Sequence, residues 1–231
     1  MPLPQEDPLT YLAHKPADAV PKGGVIYPPG MPVERLYLVV TGCVKIGTIA
    51  PGGKQVVSRI VPAEGLFGEA CLLGAPSQHE SATALDSVTL MNWTRAEIER
   101  QIEREPRFGV ALSQYVLRLG CELADRIETM AMLKTPERVV AALLQLGTSL
   151  GRARPDGVLR MPGLTHHTVS EYVGTSREVV TYQMTRLRSQ GLIRYSRQFI
   201  DIDVKGLEAA LRGGVGNQLS AIGRQPSAKP V

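Results

Sequence analysis

The sequence predicts an α+β chain: an antiparallel β-roll of jelly-roll type, a long central helix and a C-terminal winged helix-turn-helix. Three observations predict it. Short β-rich runs punctuated by glycines extend from Lys22 to Trp93. One uninterrupted helical stripe follows from Pro106 to about Leu133. Leu164 to Ile193 then reads as helix, glycine turn and helix. The implied segments are 1–105 for the β-roll, 106–133 for the central helix and 134–212 for the winged helix. Residues 213–231, with their Gly, Ser, Gln, Lys and Pro, are expected to be a disordered tail.

Within the roll, Leu36–Val40, Val44–Ile46, Val56–Val61 and Ser87–Met91 are rich in strand-forming residues. Turn signals separate them at Gly23-Gly24, Pro28-Pro29-Gly30, Thr41-Gly42 and Pro51-Gly52-Gly53. Many short strands at close spacing favour a sandwich or roll. On the central helix Leu112, Val116, Leu119, Leu123, Ile127 and Met130 are spaced 4, 3, 4, 4 and 3, close to a heptad seam. The stripe is read as a dimer seam, because one helix-turn-helix grips a half-site weakly and twofold pairing supplies the second. Packing of the stripe on its own β-roll is the alternative.

A hinge is expected at Leu133 to Pro136, with Thr135 as a cap and Pro136 at the first helical position. The next helix, Arg138 to about Leu150, offers Val139, Val140, Leu143, Leu144 and Leu146 to a small core. Thr165 then caps a helix whose apolar set is Val169, Tyr172 and Val173, and Gly174 breaks it. Thr175-Ser176 restarts the chain, and Thr175 with Glu178 has capping-box spacing. In this second helix Val180, Met184 and Leu187 should face the core. Arg177, Glu178, Thr181, Tyr182, Thr185 and Arg188 are left on the other side, as hydrogen-bonding groups on a rod that fits a major groove. Leu192–Tyr195 and Phe199–Ile202 read as two strands of a wing.

Charge separates the same halves. Residues 1–133 carry 12 Lys/Arg against 15 Asp/Glu and residues 134–231 carry 14 against 7, so nets of −3 and +7 make up the overall +4. A basic C-terminal half behind an acidic one suits a nucleic-acid module joined to a sensor. Cys43, Cys71 and Cys121 are too widely spaced for a disulfide framework or a metal knuckle, and are read as small apolar or half-buried residues. No run approaches a membrane span, and Met1 to Glu6 lacks a basic start and apolar core, which points to the cytoplasm. An enzyme is not expected. A metal site in the roll needs several His, and only His79 lies between Lys22 and Trp93. A Gly-x-Ser-x-Gly elbow and a Walker loop are both missing, and neither a cofactor nor a metal is expected.

The runs Val173–Glu178 and Leu187–Ile193 resemble the C-terminal domain of CRP/FNR-type bacterial transcription regulators. KGGVIYPPG, ERLYLVVTGCVKI and FGEACLLG resemble the cyclic-nucleotide-binding roll of the same family, so the likeness covers roughly residues 20–205. It implies a homodimer paired through the central helix, with double-stranded DNA and RNA polymerase as partners. It also implies that Arg177 and Glu178 read bases in a TGTGA-like half-site, although Glu178 could instead serve the capping box. The usual third reader, an Arg five residues after Arg177, is Tyr182 here, which puts one base pair of the half-site in doubt. His166 and His167 stand where the family contacts DNA backbone and outer bases; solvated surface is the other reading. Thr175, Ser176, Arg186, Arg188 and Arg197 are candidate phosphate binders.

The likeness further implies an effector pocket around Phe67, Gly68, Glu69 and Ala70. A cyclic phosphate there needs an Arg just before a Ser or Thr, but this chain reads His79-Glu80-Ser81. Glu repels phosphate, and neutral His lacks the guanidinium fork. The adenine-contacting pair of the family falls at Leu123-Ala124, which has no hydroxyl. Cyclic AMP is therefore not expected, and another small ligand or none remains open. Repacking at Leu123-Ala124 is the expected route by which a signal would turn the DNA-binding domains about Leu133–Thr135.

Overall fold

Alternating side chains close the N-terminal unit of the chain into two antiparallel sheets. The strands are β1 (Asp18–Val20), β2 (Val25–Tyr27), β3 (Arg35–Thr41), β4 (Val44–Ile49), β5 (Gln55–Val61), β6 (Leu66–Phe67), β7 (Glu80–Ala84) and β8 (Val88–Thr94). One sheet has the order β1-β8-β3-β6 and the other β2-β7-β4-β5. Leu36, Val39, Val44, Ile46, Leu66, Phe67, Val88, Leu90 and Trp93 point inward and make one core. This computed structural model describes residues 6–49, 53, 55–73 and 80–222, with side chains described as far as Gly213. Its chain divides into two units between Ile127 and Glu128.

The β4–β5 ladder carries a bulge. Ile46 pairs with Arg59 and Gly47 with Val57, so Ser58 is an extra residue on β5. Gly47 has to be glycine at this point, because a Cβ there would lie 2.5 Å from the Val56 carbonyl oxygen.

Two helices complete the unit. α1 (Arg95–Arg104) starts from a capping box in which Thr94 accepts from the Glu97 N–H and the Glu97 carboxylate accepts from the Thr94 N–H at 2.8 Å. The hydrogen bond from Lys15, with those from Thr94, holds the Glu97 carboxyl down to about 2. α2 (Pro106–Met132) is the expected central helix. Its first turns bury Phe108 and Leu112 in the core of the roll, and Ala111 is buried beside them in sequence. Leu112 therefore belongs to its own chain's core and not to an exposed seam, because the start of α2 lies against the roll. Leu119 is half-buried, and Val116, Leu123, Ile127 and Met130 are exposed. Cys43 and Cys71 are buried as expected, whereas Cys121 is exposed on α2. Burial pushes both buried thiols up to about 11, so neither is a ready thiolate at neutral pH.

The first whole helix of the second unit is α3 (Thr135–Leu150), which buries Val139, Val140, Leu143 and Leu146, with Leu144 half-buried. The cap is Lys134 and not Thr135. The Glu137 carboxylate reaches back to the Lys134 N–H at 2.9 Å, while the Thr135 hydroxyl accepts from Arg138 at 3.0 Å. Then come β9 (Arg152–Ala153), β10 (Leu159–Pro162), α4 (His166–Val173), α5 (Arg177–Ser189), β11 (Ile193–Tyr195), β12 (Phe199–Ile202) and α6 (Val204–Ile222). The wing is a four-stranded sheet of order β11-β12-β10-β9, twice the two strands expected. α6 runs past Gly213, where disorder was expected to begin. Val215, Leu219 and Ile222 recur at helical spacing inside a polar composition that disguised it. Residues 223–231 lie outside the described residues. Among the described residues no helix is long and apolar enough to cross a membrane.

Replacing Gly47 with Ala is expected to destabilise the roll by about 1–3 kcal/mol, the usual cost of forcing atoms into a close-packed site. Equilibrium urea unfolding should show a lower midpoint with an unchanged slope.

Candidate nucleic-acid interface and sensor cluster

The two helices of the motif are set by their ends. Thr165 caps α4 and accepts from the Thr168 N–H at 3.0 Å. Gly174 closes α4 at φ 74, a left-handed conformation that costs glycine little. α5 is capped by Ser176, whose hydroxyl accepts from the Val179 N–H at 3.4 Å. The expected Thr175–Glu178 box does not form, because α5 begins one residue later than that box requires. Instead the Glu178 carboxyl is held below its usual range by its own backbone N–H and then by the Ser176 hydroxyl.

Burial divides α5 cleanly. Val180 and Met184 are fully buried and Leu187 is 4% exposed. Arg177, Glu178, Thr181, Tyr182, Thr185 and Arg188 are all exposed on the remaining surface, with Tyr182 at 67%. Thr175 is half-buried and Ser176 exposed. Arg186 is exposed but lines a groove of about 380 Å³ with Pro136, Glu137, Gln183 and Leu211. It therefore sits on the flank away from Thr181. Arg197 is exposed in the turn between β11 and β12, at the tip of the wing.

The two histidines do different things. His166 Nδ1 lies 2.9 Å from the Thr181 hydroxyl, and its ring meets Tyr195 edge-on at 5.5 Å between centroids. Burial, and then the Arg177 charge, hold its pKa below the ordinary imidazole value. His166 thus braces α5 from α4. His167 is exposed and its Nε2 lies 3.2 Å from the carboxylate of the buried Glu171. The Arg188 guanidinium stands 5.4 Å from the Tyr195 ring centroid. Tyr195 links α4, α5 and the wing, and sequence reasoning missed it: a lone Tyr in a predicted strand carries no signal of its own.

Inside the roll, Phe67 and Gly68 are buried, and Ala70 is half-buried beside them. Glu69 is taken by Arg59, whose Nη2 lies 3.0 and 3.1 Å from its two carboxylate oxygens. Burial works against the Arg59 charge, but Glu69, Tyr115 and Glu80 together hold the guanidinium above its usual value. Glu80 accepts from the Tyr27 hydroxyl at 2.5 Å, and burial raises its carboxyl. Ser81 is buried and spends its hydroxyl on the Gly47 carbonyl at 3.1 Å. The guanidinium of Arg59 is therefore committed to Glu69, and Glu80 adds a second carboxylate nearby, a poor setting for a cyclic phosphate. Arg59 went unrecognised in the sequence because it comes from β5 and not from the expected position before Ser81. Leu123 and Ala124 are exposed on α2, and His79 lies outside the described residues. Among the described residues no three His, Cys, Asp or Glu side chains gather to hold a metal ion.

Comparison with known proteins agrees with both halves. The family model of the cyclic nucleotide-binding domain matches residues 18–105, and that of the Crp-like helix-turn-helix domain matches residues 137–210. The chain is 30% identical to transcriptional regulator SdrP of Thermus thermophilus over 190 residues, which is 80% of this chain and 89% of that one. It is 29% identical over 175 residues to a CRP-like cAMP-activated global transcriptional regulator of Mycobacterium tuberculosis, 75% of this chain and 78% of that one. Among solved structures, a CRP/FNR-family regulator of Thermus thermophilus superposes with a TM-score of 0.68 at 28% identity, covering 86% of this chain and 100% of that one. FixK2 from Bradyrhizobium japonicum, at 20% identity, shares the fold with a TM-score of 0.74 over 84% of this chain and 96% of that one.

A lowered imidazole pKa in the folded state means that the unfolded chain takes up a proton first as pH falls. The His166 contribution to stability should be intact above the ordinary imidazole range and be lost below it, as pH falls towards the lowered folded value. Thermal unfolding of the full chain is expected to show this slope, and His166→Gln should flatten it.

Proposed function

Because the chain belongs to the CRP/FNR family of DNA-binding transcription regulators, we propose that it acts as a homodimer that reads a twofold TGTGA-like site through α5. The observation that carries this reading is the division of α5, with its core side sealed and Arg177, Thr181, Tyr182, Thr185 and Arg188 exposed on the other side. Arg177 is assigned to guanine through O6 and N7, and Glu178 to a cytosine amino group once it leaves the Ser176 hydroxyl. Tyr182 replaces a guanine clamp with an aromatic face, which suits a thymine methyl or a sugar edge. Thr175, Ser176, Arg188 and the wing's Arg197 hold phosphates and set register, whereas Arg186, on the flank away from Thr181, is not assigned to DNA. His167, exposed and held by Glu171 through its Nε2, is assigned to the DNA backbone, while His166 acts by bracing Thr181.

Dimerisation is supported by Val116, Leu117, Leu123 and Ile127, which are 43–70% exposed along α2. An apolar stripe of this kind is covered economically by its own copy. The pocket does not select cyclic AMP, because Arg59 is held by Glu69, and Glu80 stands where a phosphate would need a cation. Its effector is another small molecule, or none is required. The protein works in the cytoplasm, in contact with RNA polymerase, as a regulator and not as an enzyme.

The test is selection of bound duplexes from a random pool by the purified protein, repeated with Arg177→Ala. A twofold motif with TG-rich half-sites is expected. The variant should bind the selected site about 5- to 150-fold more weakly, the 1–3 kcal/mol of a bidentate guanine contact, and lose preference at that base. Arg188→Ala should weaken all duplexes alike and lower the salt slope by about 1. Recovery of no motif at low salt, with and without metabolite extract, would remove the reading. Separately, Ile127→Glu should convert the dimer to a monomer in sedimentation equilibrium; a wild-type monomer would refute the seam.

A further inference from the structure

A bulge, two arginines and a tyrosine join β5 to α2 within the N-terminal unit. β5 is the outer strand of its sheet, and the bulge at Ser58 disturbs the ladder where the strand meets the helix. Ser58 turns its own hydroxyl back to the Ile46 carbonyl at 3.2 Å. The carbonyls of Val57 and Ser58 are both taken by Arg126 of α2. Its Nη2 donates to Val57 O at 2.5 Å and its Nη1 donates to Ser58 O. Arg126 is only 8% exposed, on a helix whose neighbouring Asp125 and Ile127 are exposed.

The next residue of β5 makes the second connection. Arg59 holds both carboxylate oxygens of Glu69, and its Nη1 lies 3.5 Å from the Tyr115 hydroxyl. That hydroxyl in turn donates to the Leu66 carbonyl at 2.5 Å. Tyr115 and Arg126 are separated by about three turns of α2 and lie on the same side as Phe108. Arg126 therefore meets the backbone of β5 directly, while Tyr115 meets β6 at the Leu66 carbonyl and β5 through the Arg59 side chain. Apolar contacts would seat the helix, but they tolerate sliding and rolling. Directional hydrogen bonds from a buried guanidinium to two adjacent carbonyls do not.

We propose that Arg126 and Arg59 are positioning residues for DNA binding. They latch α2 to the bulged edge of β5 at two points and so fix the rotation that presents Val116, Leu123 and Ile127 to a second copy of the chain. The proposal rests on the homodimer reading above. It assigns to this chain's own side chains the task of setting the seam, and through the seam the separation of the two recognition helices.

The test uses the full chain with Arg126→Gln and Tyr115→Phe, each confirmed as folded by circular dichroism. Dimer dissociation is measured by sedimentation equilibrium. Affinity is measured for the selected duplex and for an unrelated duplex at low salt. Arg126→Gln is expected to weaken both dimerisation and selected-site binding by roughly tenfold or more, and Tyr115→Phe by roughly threefold, with the unrelated duplex held within about twofold. Folded variants with unchanged dimerisation and unchanged selected-site affinity overturn the latch and leave the arginines as stabilisers of the roll. Should Arg126→Gln not fold, Tyr115→Phe decides, since it removes one oxygen and no packing. Should the wild type select no site, the DNA reading fails by itself and the dimerisation measurements still decide the latch.

Discussion

Val180, Met184 and Leu187 are sealed from solvent, and their burial fixes the rotation of α5 about its own axis. Every polar group that α5 can offer to a base is placed by that packing, since side chains on a helix are locked in relative angle. The glycine at 174 and the Ser176 cap set where the helix begins, and hence which residue arrives first. His166 against Thr181 and Tyr195 beneath Arg188 then brace one flank. The proposed recognition surface is in this sense the outside of a small core.

The N-terminal unit meets a different constraint. Its interior holds Arg59, Glu69 and Glu80 at partial burial, and charges taken from water must be paired to be tolerated. Arg59 and Glu69 satisfy each other, and Tyr27 satisfies Glu80. A chain that spends its pocket charges internally has little left to attract an anion. The same economy extends to α2, which is buried at Phe108, Ala111 and Leu112, tied at Tyr115 and Arg126, and apolar but exposed at Leu117, Leu123 and Ile127. One helix thus serves an internal core at its start and an unpaired surface further along.

Much of this was legible in the residues, for reasons of periodicity. The stripe of α2, the buried triad of α5, the glycine turn and the two wing strands all follow from spacing and turn chemistry. Short elements were not legible: β1, β2, β6 and β9 have two or three residues each, too few for a pattern. Leu112 looked like its heptad neighbours, since sequence spacing cannot tell a seam from the strip that packs on the roll. The cap of α5 moved from Thr175 to Ser176 because adjacent hydroxyls are equivalent until the backbone chooses. Arg59 and Arg126 were invisible as partners because their contacts cross between β5 and neighbouring elements at a bulge, and a bulge leaves no mark in composition.

The central claim is that two recognition helices are held at a fixed separation by a twofold pair of chains. It is tested most directly by changing the spacing of the half-sites in the selected duplex. Adding about five base pairs, half a helical turn, should turn one half-site to the far side of the DNA and abolish cooperative binding, and adding about ten should restore part of it. Affinity indifferent to both insertions would contradict the account and describe independent, flexibly joined reading heads instead.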